Sequence, residues 1–166
     1  MQKLSDGARR QMKSCVQGLT KAVITSLLVV YGASASAQTS ARLQSSPMVV
    51  HNDRGGLLRA RLLRLGELRQ SQRPIKITGA LCYSTCTMYL GLPQTCISSD
   101  TTFGFHGPSS YGRNLDQQKF ERASLIISNY YPPALRSWYL STGRYRVSGI
   151  YKISGKQIVE MGVKEC

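Results

Sequence analysis

"PIKITGALCYSTCTMYLG", residues 74–91, changes its period in the middle. As far as Cys82 the pattern alternates and carries β-branched Ile75, Ile77 and Thr78, which predicts a strand. From Ser84 onward "STCTMYLG" predicts a helix closed by Gly91. Ser84 stands at the junction, between Cys82 and Cys86. A serine there can be a nucleophile projecting from a sheet edge, though a lone serine at such a junction is more often a helix N-cap. The two cysteines can hold a metal or a disulfide around it.

Working outward, "PMVV" (47–50) predicts a short strand and "HNDRGG" (51–56) a turn. From Leu57 to Gln70, leucines at 58, 62 and 65 recur at helical spacing, with Leu57, Leu63 and Leu68 widening the stripe. "TCISS" (95–99) and "TTFGFH" (101–106) predict two further short strands, followed by a loop, "GPSSYGRN" (107–114). A helix is expected from Leu115 to Tyr130, ended by Pro132 and Pro133, and another over "ALRSWYLST" (134–142). The last helix lies in "SGKQIVEMG", with Ser154 as N-cap and Gly162 as its stop. Strands alternate with helices and no fixed-period repeat is present. The class is α/β.

The 166 residues amount to one domain plus an N-terminal leader. Lys3, Arg9, Arg10, Lys13 and Lys21 precede or open an apolar run over 22–30, and Ala35-Ser36-Ala37 offers a cleavage site before Gln38. The expectation is a signal peptide over 1–37, a flexible polar segment over 38–46, a folded domain over 47–166, and a periplasmic or secreted location. The alternative, an uncleaved leader acting as the only membrane contact, is disfavoured because the apolar run is shorter than the roughly 20 residues a span needs. Removing the five basic side chains and Asp6 from the 22 basic and 8 acidic residues leaves 17 against 7, a formal +10. That charge permits an anionic partner. No aromatic-interleaved basic motif is present, and the arginines at 59, 61, 64 and 69 read as the solvated face of the leucine helix, so nucleic acid is not an expected partner.

Cys82, Cys86, Cys96 and Cys166 remain in the domain, an even number for an oxidising compartment, with three pairings open. A zinc set of Cys82, Cys86, Cys96 and His106 has acceptable ligand types but lacks a second closely spaced pair. No G-x-x-x-x-G-K-[ST] motif occurs, and the reading implies neither a metal nor any other cofactor.

Three features stand in order. Gly55-Gly56 follows a strand and opens a helix, where free N–H groups can stabilise an oxyanion. Ser84 follows, with the Thr85 N–H beside it. His106 ends "TTFGFH", and imidazole is the side chain suited to taking a proton from serine near neutral pH. The order and spacing of "NDRGG", Ser84 and His106, with "LSTG" and "ISGKQIVEMGV" further on, resemble the proteolytic subunit of the Clp protease family. More closely they resemble exported Clp-like proteins of the crotonase-like superfamily. The resemblance runs from about Pro47 to Val163. It implies stacked β-β-α units, Ser84 as nucleophile, His106 as general base, and Gly56 and Thr85 as oxyanion donors. A disulfide from Cys82 or Cys86 to Cys96 or Cys166 would then brace the serine. Pairing Cys82 with Cys86 is the least favoured choice, because the chain passes from strand to helix between them and disulfide geometry is narrow.

Two departures accompany the resemblance. The family's acidic triad position falls near Ile150, and residues 144–152 contain no Asp or Glu, which leaves a dyad, an acid such as Asp116 reaching His106 from the loop, or an inactive site. The strand and helix that usually precede the GG strand are also absent, so an open edge or face is expected, covered by a partner or another copy. The leading expectation is an ATP-independent exported serine hydrolase acting on peptides or proteins. The alternatives are a non-catalytic protein- or peptide-binding member of the same fold, and a basic disulfide-stabilised module for anionic polymers. A cysteine nucleophile paired with His106 is the weakest variant in an oxidising compartment.

Overall fold

Parallel strands carry the candidate residues. The computed structural model describes residues 46–166; the leader over 1–37, and all but Ser46 of the polar segment, lie outside the described residues. Strand β1 (Met48–Asp53) leads through the Gly55–Gly56 turn into helix α1 (Leu58–Ser71), and β2 (Ile75–Tyr83) leads into a 3-10 helix (Ser84–Gly91). β3 (Thr95–Ile97) and β4 (Thr102–Phe105) follow, then a small hairpin of β5 (Ser109–Ser110) and β6 (Arg113–Asn114). Helices α2 (Gln117–Ser128) and α3 (Pro133–Ser141), a 3-10 turn (Gly143–Tyr145), β7 (Tyr151–Ser154) and α4 (Gly155–Glu160) complete the chain. The fold is α/β, with a mixed five-stranded sheet.

The sheet runs β1-β2-β4-β7, and β3 joins beside the first half of β2. β1, β3 and β4 are all parallel to β2, whereas β7 is antiparallel to β4. β2 is long enough to serve two neighbours in turn: Ile75, Lys76 and Ile77 pair with β3, and Leu81, Cys82 and Tyr83 pair with β4. Between β1 and β2 the register slips from Val50 to Asn52. Gly79 lies opposite this bulge, and a Cβ there would sit 0.9 Å from the His51 carbonyl oxygen, so any larger residue would push the strands apart.

The core gathers on one side of the sheet. Leu65 and Leu68 of α1, Ile75 and Ile77 of β2, Met88 of the 3-10 helix, Phe103 and Phe105 of β4, Leu135 and Tyr139 of α3 and Ile158 of α4 are buried together. On the other side Val49, Lys76, Thr78 and Ala80 are exposed, whereas a parallel sheet ordinarily has both faces covered. Helix starts follow their expected chemistry in two places. Asp116 caps α2 by accepting from the Lys119 N–H, and Ser154 forms a full capping box with Gln157.

Several expectations change. β1 continues through Asp53, so the turn is confined to the residues after it. The buried leucine stripe is narrower than expected, since Leu57 and Leu63 are exposed. The segment after Ser84 winds as a 3-10 helix; Thr87 Oγ1 donates to the Ser84 carbonyl three residues back, occupying an acceptor of the first turn. The loop over 107–114 contains a hairpin whose tip, Tyr111 and Gly112, lies at positive φ. β7 was not expected at all.

The cysteine pairing is also corrected: the disulfides are Cys82–Cys86 and Cys96–Cys166. Ser84 adopts φ +57, which folds the chain back at the junction and brings the Cα atoms of Cys82 and Cys86 to 5.4 Å, inside the bridging range. Cys166 reaches Cys96 because the C-terminal residues run beside β3, with Ile97 N donating to Lys164 O and Cys166 N to Ile97 O. All four sulfurs being bonded, neither the zinc set nor a cysteine nucleophile is available in this form.

Candidate functional site

Three neighbouring strands deliver the candidate residues to one edge. In register, Asp53 pairs with Cys82 and Tyr83 with Gly104. Gly55 lies two residues beyond Asp53, Ser84 two beyond Cys82 and His106 two beyond Gly104, so all three leave the sheet at about the same level. That level is the carboxyl end of parallel strands, where open α/β sheets offer a crevice. Gly56, Ser84, Thr85 and His106 line one cavity of about 410 Å³ there.

Ser84 is the strained residue of the set. A non-glycine residue at φ +57 is uncommon, and at a strand-to-helix turn it thrusts the side chain outward in the manner of a nucleophile elbow. The G-x-S-x-G pattern is missing, and the chain obtains the turn by bonding Cys82 to Cys86 across it. The expectation that a serine at this junction could be an ordinary N-cap also fails, because Tyr83 holds the cap position and no side chain caps the helix.

The glycine turn presses directly on the serine. Gly55 has φ +92, and a Cβ built on it would lie 2.5 Å from Ser84 Cβ and 2.9 Å from Ser84 Oγ. Only glycine permits this approach. The Gly55 N–H is used by Asp53 Oδ1 at 2.7 Å. Among the described residues no side chain or loop carbonyl takes the Gly56 N–H, and Thr85 lies in the first turn of its helix, where N–H groups have no intrahelical partner. Thr85 Oγ1 donates to the Gly56 carbonyl at 3.4 Å, tying the two candidate donors together.

His106 is half-buried and oriented by backbone. Its Nδ1 lies 2.7 Å from the Gly107 carbonyl oxygen, and the Tyr139 hydroxyl donates to the His106 carbonyl at 3.3 Å. In the tautomer that uses the Nδ1–H···O bond, Nε2 carries the free lone pair. Asp116 does not take the orienting role: its carboxylate caps α2 and pairs with Lys119, whose side chain and N–H hold it below the usual carboxylate range. The position expected for an acid is apolar, since Ile150 Cγ2 would lie 2.5 Å from a Cβ on Gly104, in the strand β4 that ends at Phe105, just before His106. Among the described residues Ser84 Oγ makes no hydrogen bond, to His106 or to any other group.

The rest of the cavity wall is largely apolar: Leu57, Leu58, Phe105, Leu115, Ile127 and Tyr131 line it. At its buried end the Tyr131 and Thr87 hydroxyls are 2.7 Å apart, and Thr87 in turn donates to the Ser84 carbonyl. Burial, aided by the neighbouring Tyr139, pushes the Tyr131 hydroxyl pKa well up, so it stays neutral. Sequence reading missed Asp53, Arg61, Thr87 and Tyr131. Asp53, at the end of a strand and two residues before a glycine, carried the signal of an Asx turn; the others carried none.

Chemically, the cavity gathers residue types that acyl transfer uses, a hydroxyl on a strained turn, an imidazole just beyond β4 and two candidate N–H donors, without the serine–histidine hydrogen bond that activates the nucleophile in such sites. Comparison with known proteins adds no assignment, for no protein-family model and no curated protein sequence matches this chain.

Proposed function

We propose that the chain is an exported serine hydrolase, most simply a peptidase, with a Clp/crotonase-like fold. The observation that carries this reading is Ser84 at φ +57, set between the Gly55–Gly56 turn and the end of β4, which leads into His106. In this mechanism Ser84 Oγ attacks a substrate carbonyl as His106 Nε2 removes its proton. The Gly56 and Thr85 N–H groups stabilise the oxyanion. His106 returns the proton to the leaving amine, and water, activated by the same nitrogen, then hydrolyses the acyl-enzyme. The Gly107 carbonyl would do part of the orienting that an acid does elsewhere. No nucleotide is consumed. Two disulfides support an oxidising location, periplasmic or secreted.

The test is labelling of the oxidised protein with a fluorophosphonate, read by intact mass and peptide mapping. Ser84 is expected to take the label, Ser84→Ala to lose it, and His106→Ala to label slower by roughly 10²- to 10⁴-fold. A folded protein that stays unlabelled overturns the hydrolase reading. That outcome would favour a peptide-binding role for the same cavity, a reading supported by the unbonded Ser84 Oγ and by Ile150 at the acid's position.

A further inference from the structure

Asp53 uses both carboxylate oxygens at the glycine turn. Oδ1 accepts from the Gly55 N–H at 2.7 Å, and Oδ2 accepts from Arg61 Nη2 at 2.6 Å. The pair is sheltered, with side-chain exposures of 24% for Asp53 and 11% for Arg61. Arg61 was expected on the solvated face of α1; instead its guanidinium lies over the Tyr89 ring, 4.4 Å from the centroid. Tyr89 belongs to the same 3-10 helix that begins at Ser84. The network therefore joins the end of β1, the start of α1 and the segment carrying the serine.

We propose that Asp53, clamped by Arg61, is a positioning residue that aims the Gly56 N–H at the space above Ser84. This rests on the hydrolase reading for its chemical consequence, though not for its geometry. By accepting the Gly55 N–H, Asp53 closes an Asx turn that fixes the 54–55 peptide plane, the plane from which the chain turns at Gly55 to present the next N–H, that of Gly56. Arg61 does two jobs. It locks the carboxylate in place, and it neutralises a negative charge that would otherwise oppose an oxyanion forming nearby. The Thr85 hydroxyl holds the same turn from the serine side through the Gly56 carbonyl.

The charge argument separates this role from plain structural support. Asp53→Asn keeps an acceptor for Gly55 and needs no counter-charge, whereas Arg61→Ala leaves a bare carboxylate beside the oxyanion position. The experiment measures the second-order rate of fluorophosphonate labelling at Ser84 together with amide exchange at Gly55 by NMR, on oxidised protein shown to be folded. Asp53→Ala and Arg61→Ala should each slow labelling by about 10²-fold, the scale of one oxyanion donor. Asp53→Asn should lose less than tenfold, and the double variant Asp53→Asn, Arg61→Ala should label faster than Arg61→Ala alone. Equal losses in Arg61→Ala and the double variant overturn the charge role.

Amide exchange tests the clamp without reference to catalysis. The Gly55 amide should be protected in the parent and exposed in Asp53→Ala, with α1 protection retained. A Gly55 amide that exchanges freely in the parent overturns the clamp whatever the labelling result. A protected Gly55 that opens in Asp53→Ala, in a parent that does not label, upholds the clamp and overturns the hydrolase reading.

Discussion

Ser84 concentrates the conflict between stability and chemistry at a single residue. Holding a side chain at φ +57 costs on the order of 1 kcal/mol or more relative to glycine. Ser84→Gly should therefore unfold at a higher temperature than Ser84→Ala, with neither variant taking a fluorophosphonate; calorimetry of the two settles it, and a lower midpoint for the glycine variant contradicts the strain. Gly55→Ala should act in the opposite sense. Its methyl would meet Ser84 at 2.5 Å in a backbone region alanine resists, so both the thermal midpoint and the labelling rate should fall. Asp116 provides the contrast. Its carboxylate is depressed by Lys119, so its contribution is present above the ordinary carboxylate pKa and disappears as pH falls through the lower folded value. Asp116→Ala should loosen the start of α2 and leave Ser84 labelling nearly unchanged, whereas a triad acid would cost on the order of 10⁴ in rate.

At the scale of elements, the site depends on β1, β2 and β4 lying side by side and parallel, so that three separate turns open onto one cavity. The two disulfides serve this arrangement differently. Cys96–Cys166 closes a separation of 70 residues and anchors the end of the chain to β3. Cys82–Cys86 closes a separation of only 4 and straddles the serine. Chain entropy gives the long loop about 4 kcal/mol and the short one about 2 kcal/mol. Replacing Cys96 and Cys166 by serine should accordingly lower the denaturation midpoint more than replacing Cys82 and Cys86. The effects on labelling should be reversed, because only the short bridge shapes the elbow. Urea titration beside labelling rates for the two double variants checks both halves. The β5–β6 hairpin also belongs to this scale: Ser109, Tyr111 and Gly112 line the cavity mouth, yet nothing in their pattern beyond a glycine marked them as part of a hairpin.

For the molecule as a whole, the core carries two tyrosines whose hydroxyls are buried, Tyr131 and Tyr139, with pKa values pushed above the ordinary value near 10, mainly by burial. The folded state thus binds these protons more tightly than the unfolded chain. Their contribution is intact below about pH 10 and is lost as pH rises beyond it. Thermal midpoints should stay level between about pH 8 and 9.5 and then drop, and Tyr131→Phe should reduce the drop; an unchanged fall in that variant would point to other groups. Among the described residues Val49, Lys76, Thr78 and Ala80 leave one side of the sheet exposed.

The sequence by itself determined the local structure and the candidates. The alternation of 75–82, the leucine stripe of α1, the proline stop after α2 and the capping signal at Ser154 are properties of a few neighbouring residues, so they are legible one segment at a time. Through a resemblance in motif order and spacing to Clp-like proteins, it also brought Gly56, Ser84, Thr85 and His106 forward as a set, and these residues do share one cavity. Only the tertiary structure decided which cysteines meet, that Arg61 turns inward to Asp53, and that a backbone carbonyl rather than Asp116 meets the imidazole of His106. Each of these turns on a backbone angle or a contact between distant segments, such as φ at Ser84 or the packing of α1 on Tyr89. Residue type constrains such contacts weakly, because the same arginine or cysteine is chemically suited to several partners and the fold selects one.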